Sequence, residues 1–272
     1  EHKVYSQLGS LRYQKERNPE LILGVLGCMA QNEGEKIFKR MPHVNLVCGT
    51  RMFSKLPELL EKITESNKQI LAIDEDGEVN FDRLVTQRQN QYSAFVSIMR
   101  GCDNYCSYCI VPYVTGREFS RSVTDIVDEV KGLVDDGCKE ITLLGQNVNS
   151  YGKGLTGKVT LATLLRELDP IEGLERIHFL TSHPKDMTRE ILEAVGELPG
   201  VCEYLHMPAQ SGSDKILKKM RRQYTSAHYR ELVEMAKSIV PGIKLAGDFI
   251  VGFPGETEED FEETVKLLND VR

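Results

Sequence analysis

The sequence predicts an α/β protein in two parts: a small N-terminal unit with an open parallel sheet, then a longer run of parallel βα repeats. Three observations carry this. Short apolar runs of strand length alternate with amphipathic helical stretches, a pattern whose default is parallel strands joined by helical crossovers. A strongly polar stretch at 74–91 (DEDGEVNFDRLVTQRQNQ) divides the alternation into two series and marks a boundary. Beyond it, five successive strands each run into a polar or glycine-rich cluster.

Taken in order, residues 1–16 are polar and helix-like. Leu21–Gly27 reads as a short buried strand leading into Gly27-Cys28, and 31–41 reads as a helix. Val44–Cys48 is a second strand, 54–65 a helix with Leu56, Leu59, Leu60 and Ile63 on one face, and Gln69–Ile73 a third strand. This is a βαβαβ unit. The second series has strands at Phe95–Met99, Glu140–Leu144, Arg176–Leu180, Glu203–His206 and Lys244–Val251. Helices are expected at 123–135, 161–168, 188–198, 213–220 and 226–239, the first carrying Ile126, Val127, Val130 and Val134 on one face with Gly137 just past its end.

Composition narrows the function. With 272 residues, 40 % apolar and 28 % charged, the chain has an ordinary soluble composition and enough material for a buried core. The longest nearly unbroken apolar stretch, Leu21–Ala30, is far too short to span a bilayer, so no membrane partner is expected. Lys and Arg total 34 against 41 Asp and Glu, a formal charge of −7, so no global basic field exists, although a local patch is compatible with it. Such a patch is Lys215, Lys218, Lys219, Arg221 and Arg222, which reads equally as a solvated helix face or as phosphate contact. The seven cysteines lack framework spacing, which favours a reducing, cytoplasmic compartment and metal ligation over disulfides.

The residues just past each strand of the second series point to one composite site. The five clusters are Gly101–Cys109, Gly145-Gln146-Asn147, Thr181-Ser182-His183-Pro184, Met207–Ser213 and Gly252–Glu256. In a parallel βα barrel all of these strand ends lie on one rim, where catalytic groups gather. Cys102, Cys106 and Cys109 have C-x3-C-x2-C spacing directly after a strand. Thiolates this close can reach a common metal centre. A three-cysteine [4Fe–4S] cluster would leave one iron open; zinc would want a fourth ligand, and none lies nearby in sequence. Buried or redox cysteines are the remaining reading.

Other features are weaker. His183 and His206 share the expected rim and read as structural hydrogen-bonding groups before proton donors. Arg117 and Arg121 flank the cysteine loop and could hold either an anionic substrate or the loop itself. Gly252-x-x-Gly255 is a poor phosphate loop, because Glu258, Glu259 and Asp260 occupy the first helical turn after it. Thr257 with Asp260 reads instead as a capping pair.

The cysteine loop with Tyr108 just before its last cysteine resembles the signature of radical S-adenosylmethionine enzymes. The longer runs GCDNYCSYCIVPYVTGREFSR (101–121), GQNVNSYG (145–152), TSHPKDM (181–187), QSGSDKILKKM (210–220) and DFIVGFPGETEEDF (248–261) are similar to the methylthiotransferases of that superfamily. Within that family the motifs lean to the tRNA enzymes that add a methylthio group to C2 of N6-isopentenyladenosine at position 37. Asn147 in the second cluster leans the same way, since the relatives that modify a ribosomal-protein aspartate more often carry Asp there, and a third relative acts on threonylcarbamoyladenosine. A non-catalytic metal-binding scaffold is the alternative from another class.

The resemblance implies a partial N-terminal methylthiotransferase domain with linker at 1–88 and a partial (βα)6 radical barrel at 92–272. It implies that Cys102, Cys106 and Cys109 hold a [4Fe–4S] cluster whose open iron binds S-adenosylmethionine, with a one-electron reductant such as flavodoxin or ferredoxin and tRNA as partners. In that family pattern one cofactor molecule supplies the methyl group, and a second yields the radical that removes hydrogen from adenine C2. The backbone beside Tyr108 is expected against the adenine, Gln146 and Asn147 facing the methionine end, Ser182 and Gln210 near the ribose or carboxylate, and the strand with Asp248 and Val251 flanking the adenine. Cys28 matches the last of three ligands of an auxiliary [4Fe–4S] cluster that supplies sulfur. Its two companions would lie upstream of the chain, and the sixth strand and a TRAM-type RNA-binding module would lie downstream, so a piece of a longer enzyme is expected. Cys48, Cys138 and Cys202 read as core thiols.

Overall fold

The computed structural model describes residues 2–66, 68–73 and 90–271. The chain forms two compact units, residues 1–85 with 110–116, and residues 86–109 with 117–272. The polar stretch at 74–91 lies, up to residue 89, outside the described residues. No helix among the described residues is long and apolar enough to cross a membrane.

The first unit contains α1 (His2–Arg17), β1 (Gly24–Leu26), α2 (Cys28–Glu33), α3 (Glu35–Arg40), β2 (Leu46–Cys48), α4 (Leu56–Ser66), β3 (Ile70–Ala72) and the single turn α5 (Val111–Val114). Its sheet is open and parallel in the order β1-β2-β3, with Val25 opposite Val47 and Val47 opposite Leu71. Where the periodicity predicts one helix over 31–41 there are two. Gly34, at φ 50°, breaks the run, and each half turns a single buried residue inward, Ala30 and Ile37. Cys48 is fully buried in this sheet, and burial pushes its thiol pKa up, as a core thiol requires.

The second unit begins with β4 (Ser93–Ser97), β5 (Met99–Arg100) and β6 (Phe119–Ser120). It continues with α6 (Val123–Asp135), β7 (Glu140–Leu144), α7 (Leu161–Leu168), β8 (Arg176–Phe179) and α8 (Arg189–Glu197). The last stretch is β9 (Tyr204–His206), α9 (Asp214–Lys219), α10 (Ser226–Ile239), β10 (Lys244–Ala246) and α11 (Glu258–Asp270). β4, β7 and β8 pair in parallel in that order, and β9 pairs in parallel with β10. A single parallel bridge, Ile177 to Val201, links β8 to the segment ahead of β9. The five strands therefore succeed one another in chain order as open sheets, and their C-terminal ends form one rim.

Most of the expected strands are a residue or more shorter at their ends, and two of the second unit are interrupted. Phe95–Met99 is interrupted at Ile98, after which β5 turns to pair antiparallel with β6 and clasps the base of the cysteine loop. The predicted Lys244–Val251 strand keeps regular pairing only to Ala246, and a bridge from Phe249 to Gln210 resumes it at the rim.

The helices form where capping and apolar stripes agree. Ser122 accepts a hydrogen bond from Asp125 N (3.1 Å) at the start of α6, and Thr160 with Thr163 forms a capping box at α7. The expected Thr257–Asp260 pair does the same at α11, with Asp260 Oδ2 accepting from Thr257 N at 3.0 Å. α7 turns Leu161, Leu164, Leu165 and Leu168 fully into the core against Ile141, Leu143 and Ile177 of the sheet. Burying a side chain of this kind stabilises the fold by about 1.5–3 kcal/mol, so this packing fixes the strands whose ends carry the site.

Candidate active site

The cysteine loop leaves β5 at Gly101, whose φ of 81° favours glycine and turns the chain sharply. Gly101 N donates to Gln146 Oε1 at 2.7 Å, so the side chain expected at the methionine end of a cofactor anchors the loop's first residue to the end of β7. Cys102 and Cys106 are buried and Cys109 half-buried, and all three are free thiols. Burial raises the Cys102 pKa, opposed by a hydrogen bond from the Asn104 backbone. The loop is pinned at its middle as well. Ser107 N donates to Met220 O (3.1 Å) and Ser107 Oγ to Lys219 O (2.9 Å), at the C-terminal end of α9.

The rest of the rim is a hydrogen-bonded frame. Asn147 is buried; its amide nitrogen donates to Asp186 Oδ2 at 2.7 Å, and its oxygen accepts from His183 N at 3.3 Å. Asn149 Oδ1 also accepts from His183 N (2.8 Å). Asn147 thus ties the end of β7 to the end of β8. His183 Nδ1 accepts from Lys185 N (3.1 Å), and its ring meets Tyr224 edge-on with centroids 5.6 Å apart. Burial first, then the charges of Arg222, Lys185 and Lys153, hold His183 down at a pKa of about 2, so it is a neutral structural group. His206 is partly buried and engaged at both ring nitrogens: Thr181 N donates to its Nδ1 (3.3 Å), and Nε2 lies 3.1 Å from Asp248 Oδ2.

Gln210 has φ 67°; its N–H donates to Asp248 O (2.8 Å), and its carbonyl accepts from Ile250 N (2.9 Å). These contacts hold the loop after β9 against the segment following β10, which bears Asp248 and the 64 % exposed Val251. Three buried polar atoms of the rim clusters have no hydrogen-bond partner among the described residues: Ser182 Oγ, Asn104 Nδ2 and Glu256 Oε1. Orphaned groups of this kind cost about 1–3 kcal/mol when left dry, and they mark where a polar ligand or water would be received. Tyr108 is partly exposed, and its hydroxyl pKa is raised by burial against the opposing charge of Arg222.

On the second unit, hydrogen bonds link Gln146 to the start of the cysteine loop, Asn147 to the residues after β8, Ser182 to His206 and Gln210 to Asp248, while Tyr108 lies in the cysteine loop itself and Val251 is exposed three residues past Asp248. Cys28 belongs to the first unit, exposed at the start of α2 behind Gly27, whose φ is 100°.

Arg222 has a role that sequence reading does not give, and Arg121 takes one of the two it offered. Order along the chain places Arg222 in a basic surface patch, but it is only 9 % exposed and its guanidinium lies inside the site. Lys215 pairs with Asp260 at 2.6 Å and Lys219 Nζ donates to Gly255 O at 2.9 Å, while Lys218 and Arg221 stay exposed, so the patch is divided between internal contacts and solvent. Arg121 is buried, pairs with Glu129 at 2.6 Å and donates to Ser97 O at 2.7 Å, so it holds the loop base. The spacing Arg222-x-Tyr224 after a helix ending in two lysines is the available signal, and the charged run hides it. Cys138 and Cys202 are structural: Cys138 Sγ donates to Glu140 O at 3.2 Å, and Cys202 Sγ sits 3.2 Å from His178 Nε2.

The donor set is chemically compatible with a cluster, which three thiolates can hold. Among the described residues no three His, Cys, Asp or Glu side chains converge on one ion position. A tetrahedral zinc bond of about 2.3 Å would bring its sulfurs nearly into contact. A cuboidal cluster takes each cysteine on a different iron and so spreads the thiolates around itself. Three free cysteines on one clamped loop, two of them buried, beside unsatisfied polar atoms of the rim, fit that group.

A parallel βα rim with a clamped three-cysteine loop defines the class, and the profile of the Radical SAM superfamily matches residues 96–268. The chain belongs to that superfamily. The profile of an uncharacterized protein family, UPF0004, matches residues 1–49. The chain is 50 % identical over its whole length to the tRNA-2-methylthio-N(6)-dimethylallyladenosine synthase of Clostridium beijerinckii, and likewise 50 % identical to that of Clostridium tetani. It spans 60 % of the length of each of these relatives. Among solved structures, the cobalamin-dependent S-adenosylmethionine radical enzyme OxsB aligns over 98 % of this chain and 42 % of its own, with TM-score 0.71 and 18 % identity. The radical S-adenosylmethionine methyltransferase TsrM from Kitasatospora setae aligns over 99 % of this chain and 56 % of its own, with TM-score 0.70 and 16 % identity. At these identities the two structures speak to the fold alone.

Proposed function

We propose that the protein containing this chain is a radical S-adenosylmethionine methylthiotransferase that adds a methylthio group to C2 of N6-isopentenyladenosine at position 37 of tRNA, in the cytoplasm, using a one-electron donor of the flavodoxin or ferredoxin kind. The single observation that carries this is the 50 % identity, across the entire chain, to synthases named for that product. Cys102, Cys106 and Cys109 would hold the [4Fe–4S] cluster. When bound, the cluster and S-adenosylmethionine supply a one-electron cleavage of a carbon–sulfur bond and thereby a radical able to abstract hydrogen.

The chain's own residues position and shield. Gln146 fixes the start of the cysteine loop through Gly101 N, and Ser107 fixes its middle through the end of α9. Asn147, with His183 and Asp186, makes the floor of the rim rigid. Ser182 Oγ and Asn104 Nδ2, buried and unpartnered among the described residues, would receive polar groups of the cofactor, with Tyr108, Gln210, Asp248 and Val251 around the adenosine moiety. His183, held neutral, adds no charge to a site that must exclude water. Cys28 would be one ligand of a second, auxiliary [4Fe–4S] cluster serving as the sulfur source.

The test is anaerobic reconstitution with iron and sulfide, followed by metal analysis and an assay for 5′-deoxyadenosine. The expected result is about four irons lost on Cys102→Ala, with 5′-deoxyadenosine formed. Full-length protein should then convert isopentenylated tRNA to a product carrying the methylthio group, read by nucleoside mass spectrometry. Zinc in place of iron, or loaded full-length protein that leaves this tRNA unmodified while modifying a ribosomal-protein aspartate, would overturn the assignment.

A further inference from the structure

Arg222 occupies a position that the radical chemistry does not by itself require. It comes just after α9 and is only 9 % exposed, unusual for a side chain that is always charged. Its guanidinium is held in three directions. Nε donates to Tyr224 Oη at 3.2 Å, one terminal nitrogen donates to Pro208 O at 3.2 Å, and the other points at Cys106 Sγ at 3.6 Å. Tyr224 is itself fixed, its hydroxyl donating to Ala209 O at 2.6 Å. The backbone of Arg222 is anchored as well, with its N–H on Leu217 O at 2.8 Å. Neither the Pro208 nor the Tyr224 contact depends on a bound group, so the charge is aimed at the sulfur in advance.

We propose that Arg222 is a positioning residue for the cluster's electron chemistry: by donating to the sulfur of Cys106 and placing a buried positive charge beside it, it makes one-electron reduction of the loop's [4Fe–4S] cluster easier. The inference rests on the reading that Cys102, Cys106 and Cys109 hold that cluster. A cluster ligated by three thiolates becomes more negative on gaining an electron. A nearby buried cation and an N–H···S hydrogen bond favour the reduced form, because the low-dielectric surroundings screen neither. The change is electronic only: one electron passes from an external low-potential donor to the cluster, and no proton or leaving group is involved. Other charges face the same rim. Lys153 is paired with Glu118, whose negative charge also acts on Cys102, and Lys185 lies 3.7 Å from Asp186, so these charges largely offset one another. Arg222 is distinguished from these by its direct contact with a ligand sulfur.

The experiment is a dithionite titration of the iron-reconstituted chain, followed by electron paramagnetic resonance, comparing wild type, Arg222→Gln, Arg222→Lys and Tyr224→Phe. Arg222→Gln should make reduction about tenfold less favourable, a midpoint about 59 mV more negative for a one-electron couple. Arg222→Lys keeps the charge and should fall between it and wild type. Tyr224→Phe leaves Arg222 intact but removes its orienting hydroxyl, and should shift the midpoint in the same direction by less. An Arg222→Gln chain that loads iron fully and titrates at the wild-type potential would overturn the inference while leaving the cluster reading intact. If Arg222→Gln does not load, unchanged midpoints in both Arg222→Lys and Tyr224→Phe would overturn it equally. Wild-type protein that builds no cluster on the three cysteines would fail the underlying reading itself, a separate result.

Discussion

His183 makes a sharp prediction about acid stability. It is buried, and burial, then the neighbouring charges of Arg222, Lys185 and Lys153, hold its pKa down at about 2. In the unfolded chain the same imidazole titrates near its usual value of about 6.5. A depressed pKa means that folded protein binds fewer protons than unfolded protein, so stability is full above about 6.5 and declines as pH falls toward the folded value. One such site contributes roughly 2 kcal/mol of lost stability between about pH 7 and about pH 5.

The perturbation is His183→Asn, which keeps an acceptor for Lys185 N at the same turn but removes the titration. Urea unfolding of the iron-free chain, measured anaerobically across that pH range, should show the wild type losing about 2 kcal/mol more than the variant. The variant itself is less stable at neutral pH, because the smaller side chain abandons Tyr224. Equal pH dependence in the two proteins would refute the reasoning, since His183 would then titrate alike folded and unfolded.

Packing and capping supply further predictions. Leu164→Ala, in the fully buried face of α7, should cost about 2–5 kcal/mol in chemical denaturation, because the sheet cannot close over the space. Arg121→Ala removes the partner of Glu129 and the donor to Ser97 O, and should cost about 2 kcal/mol in the same measurement while releasing the loop base to faster proteolysis. Gly212→Ala places a methyl group on the backbone of Glu263 and Thr264 in α11, so it should lower the melting temperature and loosen the loop carrying Gln210, seen as faster amide exchange there. Asp260→Asn weakens three contacts at once, to Lys215, Ser213 and the Thr257 N–H. Because those contacts hold the Asp260 carboxyl well below its usual pKa, wild-type stability should fall more steeply than the variant's as pH drops through the acid range.

Much of the fold was legible because local signals agreed with one another. The predicted helices 123–135, 161–168 and 226–239 match α6, α7 and α10 residue for residue, and β7 matches Glu140–Leu144, because caps, apolar stripes and turn glycines all mark the same ends. Disagreement came where one residue outweighed a pattern. Gly34 splits the helix expected over 31–41, since a left-handed residue stops the hydrogen-bond ladder whatever the apolar spacing suggests. Phe95–Met99 breaks because its end must turn to clasp β6, a requirement of the loop beyond it that periodicity does not contain.

The sequence by itself determined which reactive groups this protein carries and in what order. Three thiols within eight residues after a strand, and clusters of polar residues after every later strand, are covalent facts of order and spacing. What each side chain faces was decided only by the tertiary structure. Gln146 and Asn147 are adjacent in sequence, yet one anchors Gly101 while the other bonds Asp186 and His183. Arg222 reads as surface charge beside lysines and is instead buried against Cys106, 116 residues away. Hydrogen bonds and burial across such separations depend on how the strands bring their ends together, and local propensity holds no record of that.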